Sequence, residues 1–319
     1  MKATILKLLP IVDLLLQPFL VPAALLLSRI RRTGLHRLPK CRETLITLGV
    51  FPILDHYYEP QFNFRQLRRS LSEERRLPGI DMNVDEQLQL LAKFSFASEL
   101  AETPFEKPVP LDFYLDNPSF GSGDAEYWYQ LIRTVRPRRI IEIGSGYSTL
   151  IAMKAIRRNQ MDDSEYRCDH VCVEPYEMPW LEDTGVHVVR QKVEDLDPGF
   201  FADLSRNDIL FIDSSHVLRP QGDVLFEFLE ILPTLQIGVI VHVHDVFTPR
   251  DYPPSWLLEE NRFWNEQYLL EAFLTHNDSW KILGALNYLR HNHFESLRLA
   301  APFLTADREP GSFYMIRTH

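Results

Sequence analysis

Short apolar runs recur along the second half of the chain, and most of them end at a polar or charged residue. Their length and their β-branched residues predict strands that are covered on both faces, as in a parallel sheet. Segments with helical periodicity lie between them, at about 125–135, from about 148 and at 264–274. This alternation predicts an α/β fold. The predicted strands are residues 140–143, 171–173, 186–190, 209–212, 239–243, 281–286 and 312–317.

The first predicted strand runs directly into a glycine loop. Glu142 precedes Gly144 by two residues, Ser145 and Gly146 follow, and a helix is expected from about Ser148. Glycine allows the sharp turn and lets the backbone approach a ligand closely. The arrangement indicates a nucleotide-cofactor site, although Gly-x-Gly also occurs in dinucleotide folds and in ordinary turns.

Polar residues also follow three of the other predicted strands. Glu174 follows the second strand, Asp213 the fourth, and His244 with Asp245 the fifth. Ligands of open α/β sheets bind beyond the carboxyl ends of the strands, so we expect these residues to converge on one crevice, with Glu174 on a ribose. His242 shares a strand face with His244. We favour His244 for the site because it lies nearer the end of the strand, which leaves His242 as the candidate core histidine.

The order of these motifs resembles the class I S-adenosylmethionine-dependent methyltransferases. An acid stands two residues before the first glycine, and Thr149 replaces the third glycine of the dinucleotide fingerprint. A nicotinamide-binding Rossmann enzyme is the alternative. The resemblance covers about residues 115–317. It implies a Rossmann-like seven-stranded sheet with helices on both faces and a reversed final strand.

The resemblance also implies S-adenosylmethionine as the cofactor. In that family the acid at the position of Glu142 lies near the methionine part, Glu174 binds the ribose, and the acidic turn after the third strand lies beside the adenine. The loop before the helix at 125–135 closes over the cofactor, and Ser122 is a suitable N-cap for that helix. The implied cofactor-binding residues are Phe120, Ser122, Glu142, Gly144, Ser145, Gly146, Ser148, Glu174, Pro175, Tyr176, Glu194, Asp195 and Asp213.

Residues 211–216, Phe-Ile-Asp-Ser-Ser-His, indicate one branch within this family. With Asp223 and the later pair His244 and Asp245, they resemble the branch that contains metal-dependent macrolide-sugar O-methyltransferases and cephalosporin hydroxylase-like proteins. This implies Asp213 and Asp245 as Mg²⁺ ligands and His216 as the general base. In those enzymes paired acids end the fifth strand, whereas here His244 precedes Asp245 and becomes the third candidate metal ligand. Imidazole suits a hard cation less well than carboxylate does, so a softer divalent ion or no ion are alternatives.

Methyl transfer to an alkyl hydroxyl requires these residue types. The hydroxyl is a weak nucleophile, and a neutral histidine can accept its proton at physiological pH. The simpler interpretations are a solvated loop histidine for His216 and turn caps for the two aspartates. After the fifth strand, the proline-rich loop 247–256 carries Arg250, Tyr252 and Trp256, which we assign to acceptor recognition because aromatic rings stack on sugars.

Charge is distributed unevenly along the 319 residues, whose formal net charge is −10. Residues 1–50 contain eight Lys and Arg against two acids, and the remainder contains 26 against 42. The acidic remainder argues against nucleic-acid binding, which requires a basic surface. The three cysteines, Cys41, Cys168 and Cys172, form no Cys-x-x-Cys motif and no even disulfide framework, so a reduced cytoplasmic compartment is expected.

The first 44 residues indicate a membrane anchor. Residues 5–27 are almost wholly apolar, interrupted by Lys7, Asp13, Gln17 and three prolines, and a basic run follows. Basic residues after the apolar stretch fit a secretory signal poorly. The acid and the prolines favour a bent, re-entrant or interfacial anchor on the cytoplasmic face over a straight span. A hydrophobic helix packed on its own domain or on a dimer partner is the alternative.

We therefore predict an anchor at 1–44, a helical cap or extension at 45–118 and a methyltransferase domain at 119–319. The cap either covers the acceptor pocket or is a packing extension. The expected activity is O-methylation of a sugar hydroxyl on a glycan or glycolipid precursor, with a small-molecule or lipid-linked saccharide as substrate, a membrane surface as partner and a homodimer left open. Alternatives are methylation of a phenolic or polyketide hydroxyl, a non-catalytic membrane scaffold, and a hydroxylase-like activity.

Overall fold

The computed structural model describes residues 2–107 and 111–319, with the side chains of residues 2–7 outside the description. The chain divides after Arg68 into two compact units. The division falls inside the predicted segment 45–118, so that segment contributes to both units. Its residues 108–110, and the side chains at the beginning of the predicted anchor, lie outside the described residues.

The N-terminal unit contains one long apolar helix and one short helix. These are α1 (Lys2–Thr33) and α2 (Pro39–Leu48). Although Pro10, Pro18 and Pro22 lie inside α1, the helix is continuous. Its portion from Leu8 to Thr33 is long and apolar enough to cross a membrane, by length and composition, and none of that stretch is buried.

The second unit is built around a seven-stranded sheet. The strand order is β3-β2-β1-β4-β5-β7-β6, the first five strands are parallel, and β7 runs antiparallel to both β5 and β6. This topology confirms the predicted methyltransferase sheet, including its reversed final strand. The strands are β1 (Arg139–Ile143), β2 (Asp169–Val173), β3 (His187–Val189), β4 (Ile209–Ile212), β5 (Ile240–Val243), β6 (Trp280–Ala285) and β7 (Phe313–Arg317).

Helices cover both faces of the sheet, as predicted. Alternate residues of β1 face opposite sides: Ile140 packs in one apolar cluster with Trp128 of α4, and Ile141 packs in another with Leu270 of α8. Both clusters are fully buried at these positions, which fixes the sheet between two helical layers. The helices are α3 (Val84–Lys93), α4 (Asp124–Val135), α5 (Tyr147–Asp162), α6 (Asp223–Phe226), α7 (Pro254–Leu258), α8 (Glu266–Leu274), α9 (Leu286–Asn292) and α10 (Phe294–Ala300), with a π-helical turn at Glu227–Ile231 after α6.

Two helix boundaries differ from the sequence pattern. Residues 84–100 have a helical sequence pattern, but α3 ends at Lys93, because the chain leaves helical geometry at Phe94 and forms a separate turn at Ala97–Leu100. At α4 the N-cap is Gly123 rather than Ser122. The Ser122 hydroxyl instead donates to Glu126, 2.7 Å away, and the same carboxylate accepts from the Gly123 amide.

Candidate active site

A cavity of about 790 Å³ opens at the carboxyl ends of β1, β2 and β4. It is therefore located where a parallel α/β sheet binds its ligands. Ten of the predicted cofactor residues line it, and Glu142, Ser122 and Asp195 do not. Those ten are Phe120, Gly144, Ser145, Gly146, Ser148, Glu174, Pro175, Tyr176, Glu194 and Asp213.

Gly144 shows why the loop after β1 needs glycine. Its φ is +76°, a backbone conformation that side chains disfavour, and an added Cβ would lie 1.9 Å from the carbonyl oxygen of Asp213. The loop therefore passes directly against the end of β4. Only the absence of a side chain permits this close approach between the glycine loop and the residue that begins the β4 loop.

Glu174 is held in place on the cavity wall by backbone amides. One carboxylate oxygen accepts from Tyr176 and Glu177, at 3.0 and 2.9 Å, and the other accepts from Ser145 at 3.3 Å. Among the described residues, the buried Ser145 hydroxyl has no hydrogen-bond partner. A buried polar atom without a partner beside a cavity indicates a ligand contact.

Glu142 lies beneath the loop and not in the cavity. Its carboxylate is fully buried and accepts from Ser148 at 2.7 Å and Thr149 at 3.2 Å, and it lies 2.5 Å from His170 Nε2. Burial alone would lower the pKa of His170, but Cys172 and Glu142 outweigh it and raise that pKa to about 10. Glu142 thus joins β1, β2 and the start of α5, and its contact with a cofactor stays a prediction.

His216 lies at the centre of a group of carboxylates. Its Nδ1 is 2.8 Å from Glu266, and its Nε2 is 3.2 Å from Asp213 and 3.6 Å from Asp245. His216 and its three carboxylate partners therefore bring together the ends of β4 and β5 and the N-terminus of α8. The amides of Asn265 and Glu266 both donate to the His216 carbonyl, which fixes the spacing of these two segments.

Two residues of this group have strained backbones. His216 and Asp245 have φ of +60° and +56°, in the left-handed region that residues with side chains seldom adopt. Such geometry persists where surrounding contacts impose it, and it is concentrated at functional sites. The strain brings both side chains toward the same point at the edge of the sheet.

Sequence reasoning did not identify Glu266. The residue lies 50 positions after His216 and opens a helix whose pattern indicated core packing. The sequence shows only an acid at the first position of an apolar helix. This acid becomes unusual once the structure shows that it is fully buried.

The carboxylates determine the protonation of His216. Burial opposes a charge on the ring, but hydrogen bonds with Asp213 and Glu266 outweigh burial and raise the pKa of His216 well above its usual value. The two carboxylates therefore favour the protonated form of the ring. A protonated ring can accept another group's proton only after losing its own.

His242 of β5 and His244, which follows the strand, have different surroundings. His242 is fully buried: its ring stacks on Tyr314 at 4.6 Å and meets Phe211 edge-on at 4.0 Å, and burial lowers its pKa well below the usual value. His244 lies beside the site, with Nε2 3.7 Å from Asp245. The structure thus places His244 near the predicted chemistry and His242 in the aromatic core.

The predicted acceptor residues are engaged in packing and ion pairs. Tyr252 is buried and its hydroxyl accepts from the Gln267 amide, so it offers no open surface to an acceptor. Arg250 binds Glu74 at 2.9 Å. Trp256 is half-buried, and its ring lies 5.2 Å from Trp264.

Trp264 brings an aromatic surface to the candidate base. Its ring centroid lies 4.3 Å from that of His216, and the guanidinium of Arg262 lies 4.6 Å from the Trp264 ring and 4.3 Å from the Trp256 ring. The three side chains are half-buried. They form a surface beside His216 that combines two flat rings with one cation.

Metal-ligand chemistry is available at the same point. Donor atoms of Asp213, His216 and Asp245 lie within 4.8 Å of one another. This group differs from the predicted one in that His216 takes the place of His244. In the described part of the chain, Glu142, His170 and Cys172 form a second such group, which is fully buried below the glycine loop.

This chain is similar to a known family, to a sequence relative and to a solved structure. A family model described as a methyltransferase domain matches residues 141–246. An uncharacterized protein of Archaeoglobus fulgidus is 31% identical over 168 residues, which cover 48% of this chain and 74% of the relative. The apo structure of CalS11, a TDP-rhamnose 3′-O-methyltransferase of calicheamicin biosynthesis, has 14% identity and a TM-score of 0.37, and covers 60% of this chain and 76% of that one.

Proposed function

We propose that this chain, which belongs to the class I methyltransferases, transfers a methyl group from S-adenosylmethionine to a hydroxyl group. One observation carries the proposal: a buried histidine held between carboxylates stands at the same sheet edge as the glycine-loop cavity, and Asp213 belongs to both. A base beside the cofactor cavity is the arrangement that hydroxyl activation requires.

The cavity residues fit S-adenosylmethionine. Glu174 offers carboxylate oxygens at the end of β2, where a ribose binds in this fold, and the Ser145 hydroxyl is available for a further hydrogen bond. Glu194 and the exposed ring of Tyr176 border the same space. When bound, S-adenosylmethionine supplies an electrophilic methyl group on its sulfonium.

His216 is the proposed general base. Glu266 binds Nδ1 and so directs Nε2 toward Asp213 and Asp245, where the acceptor hydroxyl would approach. Once the ring is neutral, Nε2 can take the hydroxyl proton. Transfer of the methyl group to the oxygen would break its bond to the sulfonium sulfur and release S-adenosylhomocysteine as the neutral leaving group. A divalent cation would be held by Asp213 and Asp245, and it would stabilise the developing alkoxide.

The aromatic surface beside His216 supports a sugar as acceptor. Trp264 and Trp256 present rings for stacking on a saccharide, and Arg262 adds a cation suited to a phosphate or carboxylate group. The apolar helix α1, followed by a basic run, supports a location at the cytoplasmic membrane face. A lipid-linked saccharide combines both requirements.

Binding to the full-length protein in mild detergent tests the cofactor. We expect calorimetry to give micromolar binding of S-adenosylmethionine and S-adenosylhomocysteine but not of NAD. Glu174→Gln removes a charge-assisted contact and should weaken the sulfonium ligand about 10- to 100-fold. Glu182→Gln, an exposed acid paired with Arg190, is the matched control. Binding of NAD alone would overturn the assignment of S-adenosylmethionine as the cofactor. Binding of none of the three ligands would favour the non-catalytic scaffold.

A second assay tests the chemical class of the acceptor and the requirement for a divalent metal. Methyl transfer from radiolabelled S-adenosylmethionine is measured with lipid-linked saccharides and with phenolic acceptors, before and after EDTA. Transfer to saccharides supports the proposal, and transfer only to phenols would replace the acceptor. Loss of transfer with EDTA, restored by Mg²⁺, would support a cation at Asp213 and Asp245.

A further inference from the structure

The second half of the N-terminal unit exposes a group of aromatic rings. We call Phe51, Tyr57, Tyr58, Phe62 and Phe64 the aromatic platform. Tyr57 and Tyr58 are 80% and 81% exposed, with ring centroids 4.1 Å apart. Exposed apolar residues that occur singly need no explanation, but five exposed rings within residues 51–64 indicate an interaction surface.

Arg31 connects the platform to the end of α1. Its guanidinium lies 2.6 Å from Glu59 and 5.1 Å from the centre of the Phe51 ring. Both ends of the ion pair are largely covered, although their surroundings are exposed. Arg31 lies in the last turn of α1, so this contact fixes residues 51–59 against the end of the apolar helix.

The charge of this region identifies the partner. Residues 29–68 contain eight Arg and Lys against three acids, whereas the whole chain is acidic. Basic residues that follow an apolar helix are attracted to anionic lipid headgroups. A soluble acidic partner would account for the charge but not for the apolar rings beside it.

The length of α1 places the platform at the membrane surface. The 26 residues from Leu8 to Thr33 extend about 39 Å at 1.5 Å per residue, compared with a hydrocarbon core of about 30 Å. The last turn of an inserted helix therefore reaches the headgroup region. Tyrosine and other amphipathic rings are enriched at that depth.

We propose that residues 51–64 form a membrane-interface platform whose aromatic rings insert among the headgroups of an anionic bilayer, with Arg31 holding them at that depth. The inference rests on the proposed membrane location and extends it to a second segment. The proline-bounded aromatic stretch thereby acquires a role at the lipid surface, in place of covering an acceptor pocket.

Spin labels measure the depth directly in the full-length protein. Cys41→Ser and Cys168→Ser remove the accessible thiols and leave the buried Cys172. Single cysteines then replace Tyr58 in the platform, Leu15 in α1 and Leu299, an 82% exposed residue of α10 in the other unit. The protein is placed in nanodiscs of phosphatidylcholine and phosphatidylglycerol, and collisions with water-soluble NiEDDA are compared with collisions with oxygen.

The proposal requires the label at position 58 to collide several-fold less often with NiEDDA than the label at position 299. If position 15 is protected while position 58 matches position 299, the platform is wrong and the anchor stands. If the labels at positions 15 and 58 both collide freely with NiEDDA, the proposed membrane location is wrong as well as the platform. Protection of position 58 in lipid-free detergent that disappears on dilution would identify a second copy of the chain and overturn the lipid partner.

Arg31→Gln tests the connection. Loss of the Glu59 contact should raise the NiEDDA collision rate at position 58 several-fold and leave position 15 protected. Arg32→Gln is the matched control, because it removes the same charge from the same helical turn and keeps the Arg31 contact. Equal effects of the two variants would show that charge alone, and not the connection, sets the depth.

Discussion

The sheet edge and the N-terminal unit depart from the usual distribution of side chains in opposite directions. At the sheet edge, His216 and Glu266 are buried beside two further carboxylates. In α1, apolar side chains are exposed along the helix, as at Leu14 and Phe19. Burying charge and exposing apolar surface are both unfavourable in water. Under the proposed function, a reacting ligand would offset the first cost and a lipid bilayer the second.

The largest expected effect comes from removing the base at the sheet edge. His216→Asn should lower the rate of methyl transfer by about 10²–10⁴-fold, the range for loss of a positioned base. Binding of S-adenosylmethionine should persist, because His216 does not line the cavity. The rate with the best acceptor and the calorimetric affinity are measured together. An unchanged rate would show that the buried charges serve stability and not catalysis.

In the N-terminal unit, the corresponding change adds charge to exposed apolar surface. Leu15 is 65% exposed in α1, and Leu15→Asp should move the protein from the membrane fraction toward the soluble fraction by about 100-fold, from roughly 2.5–3.5 kcal/mol for a charge in the bilayer. Leu299→Asp places the same charge on a more exposed residue of α10 and should leave the partition unchanged. Equal partition of both variants would contradict the anchor.

Glu266→Gln sharpens the comparison within the sheet edge. The amide still occupies the space but no longer holds the imidazole as a carboxylate does, so we expect roughly a 10-fold loss in kcat, at the lower end for an orienting partner. Glu266 raises the pKa of His216, so the rising limb of the pH–rate profile should move to lower pH in the variant. A lower rate with an unmoved profile would indicate a purely structural role.

The sequence predicted the sheet and its polar strand ends because local patterns determine them. The buried runs of β1, β2, β4 and β5 are visible as apolar segments, and Glu174, Asp213 and Asp245 follow three of them directly. Their convergence then follows from parallel topology alone. The glycine loop was similarly readable because Gly144 has a conformational requirement that no other residue meets.

Residues that depend on tertiary packing were predicted less well. Glu266 and Trp264 reach His216 from a segment about 50 residues later, and nothing local separates them from core residues of α8. Tyr252 was assigned to acceptor recognition from an aromatic, proline-rich loop, but it packs inward with Phe247 and Leu257. Composition can indicate that a loop carries rings but not which side of it faces the protein.

The smallest expected effect concerns charge that is buried away from the cavity. The pKa of His170 is raised to about 10 beside Glu142, against about 6.5 in an unfolded chain. A raised pKa means that the folded state holds the proton more tightly, so the stabilisation is complete below about pH 6.5 and is lost as the pH rises toward 10.

His170→Gln keeps a hydrogen-bond donor but removes this titration. The variant should melt a few degrees below the wild type at mildly acidic pH, and the difference should shrink in alkaline solution. His187→Gln, which removes an exposed imidazole of β3, is the control variant. A melting difference that stays constant with pH would mean that the pair below the glycine loop is neutral. Of the two groups compared, only the one around His216 at the sheet edge would then carry buried charge.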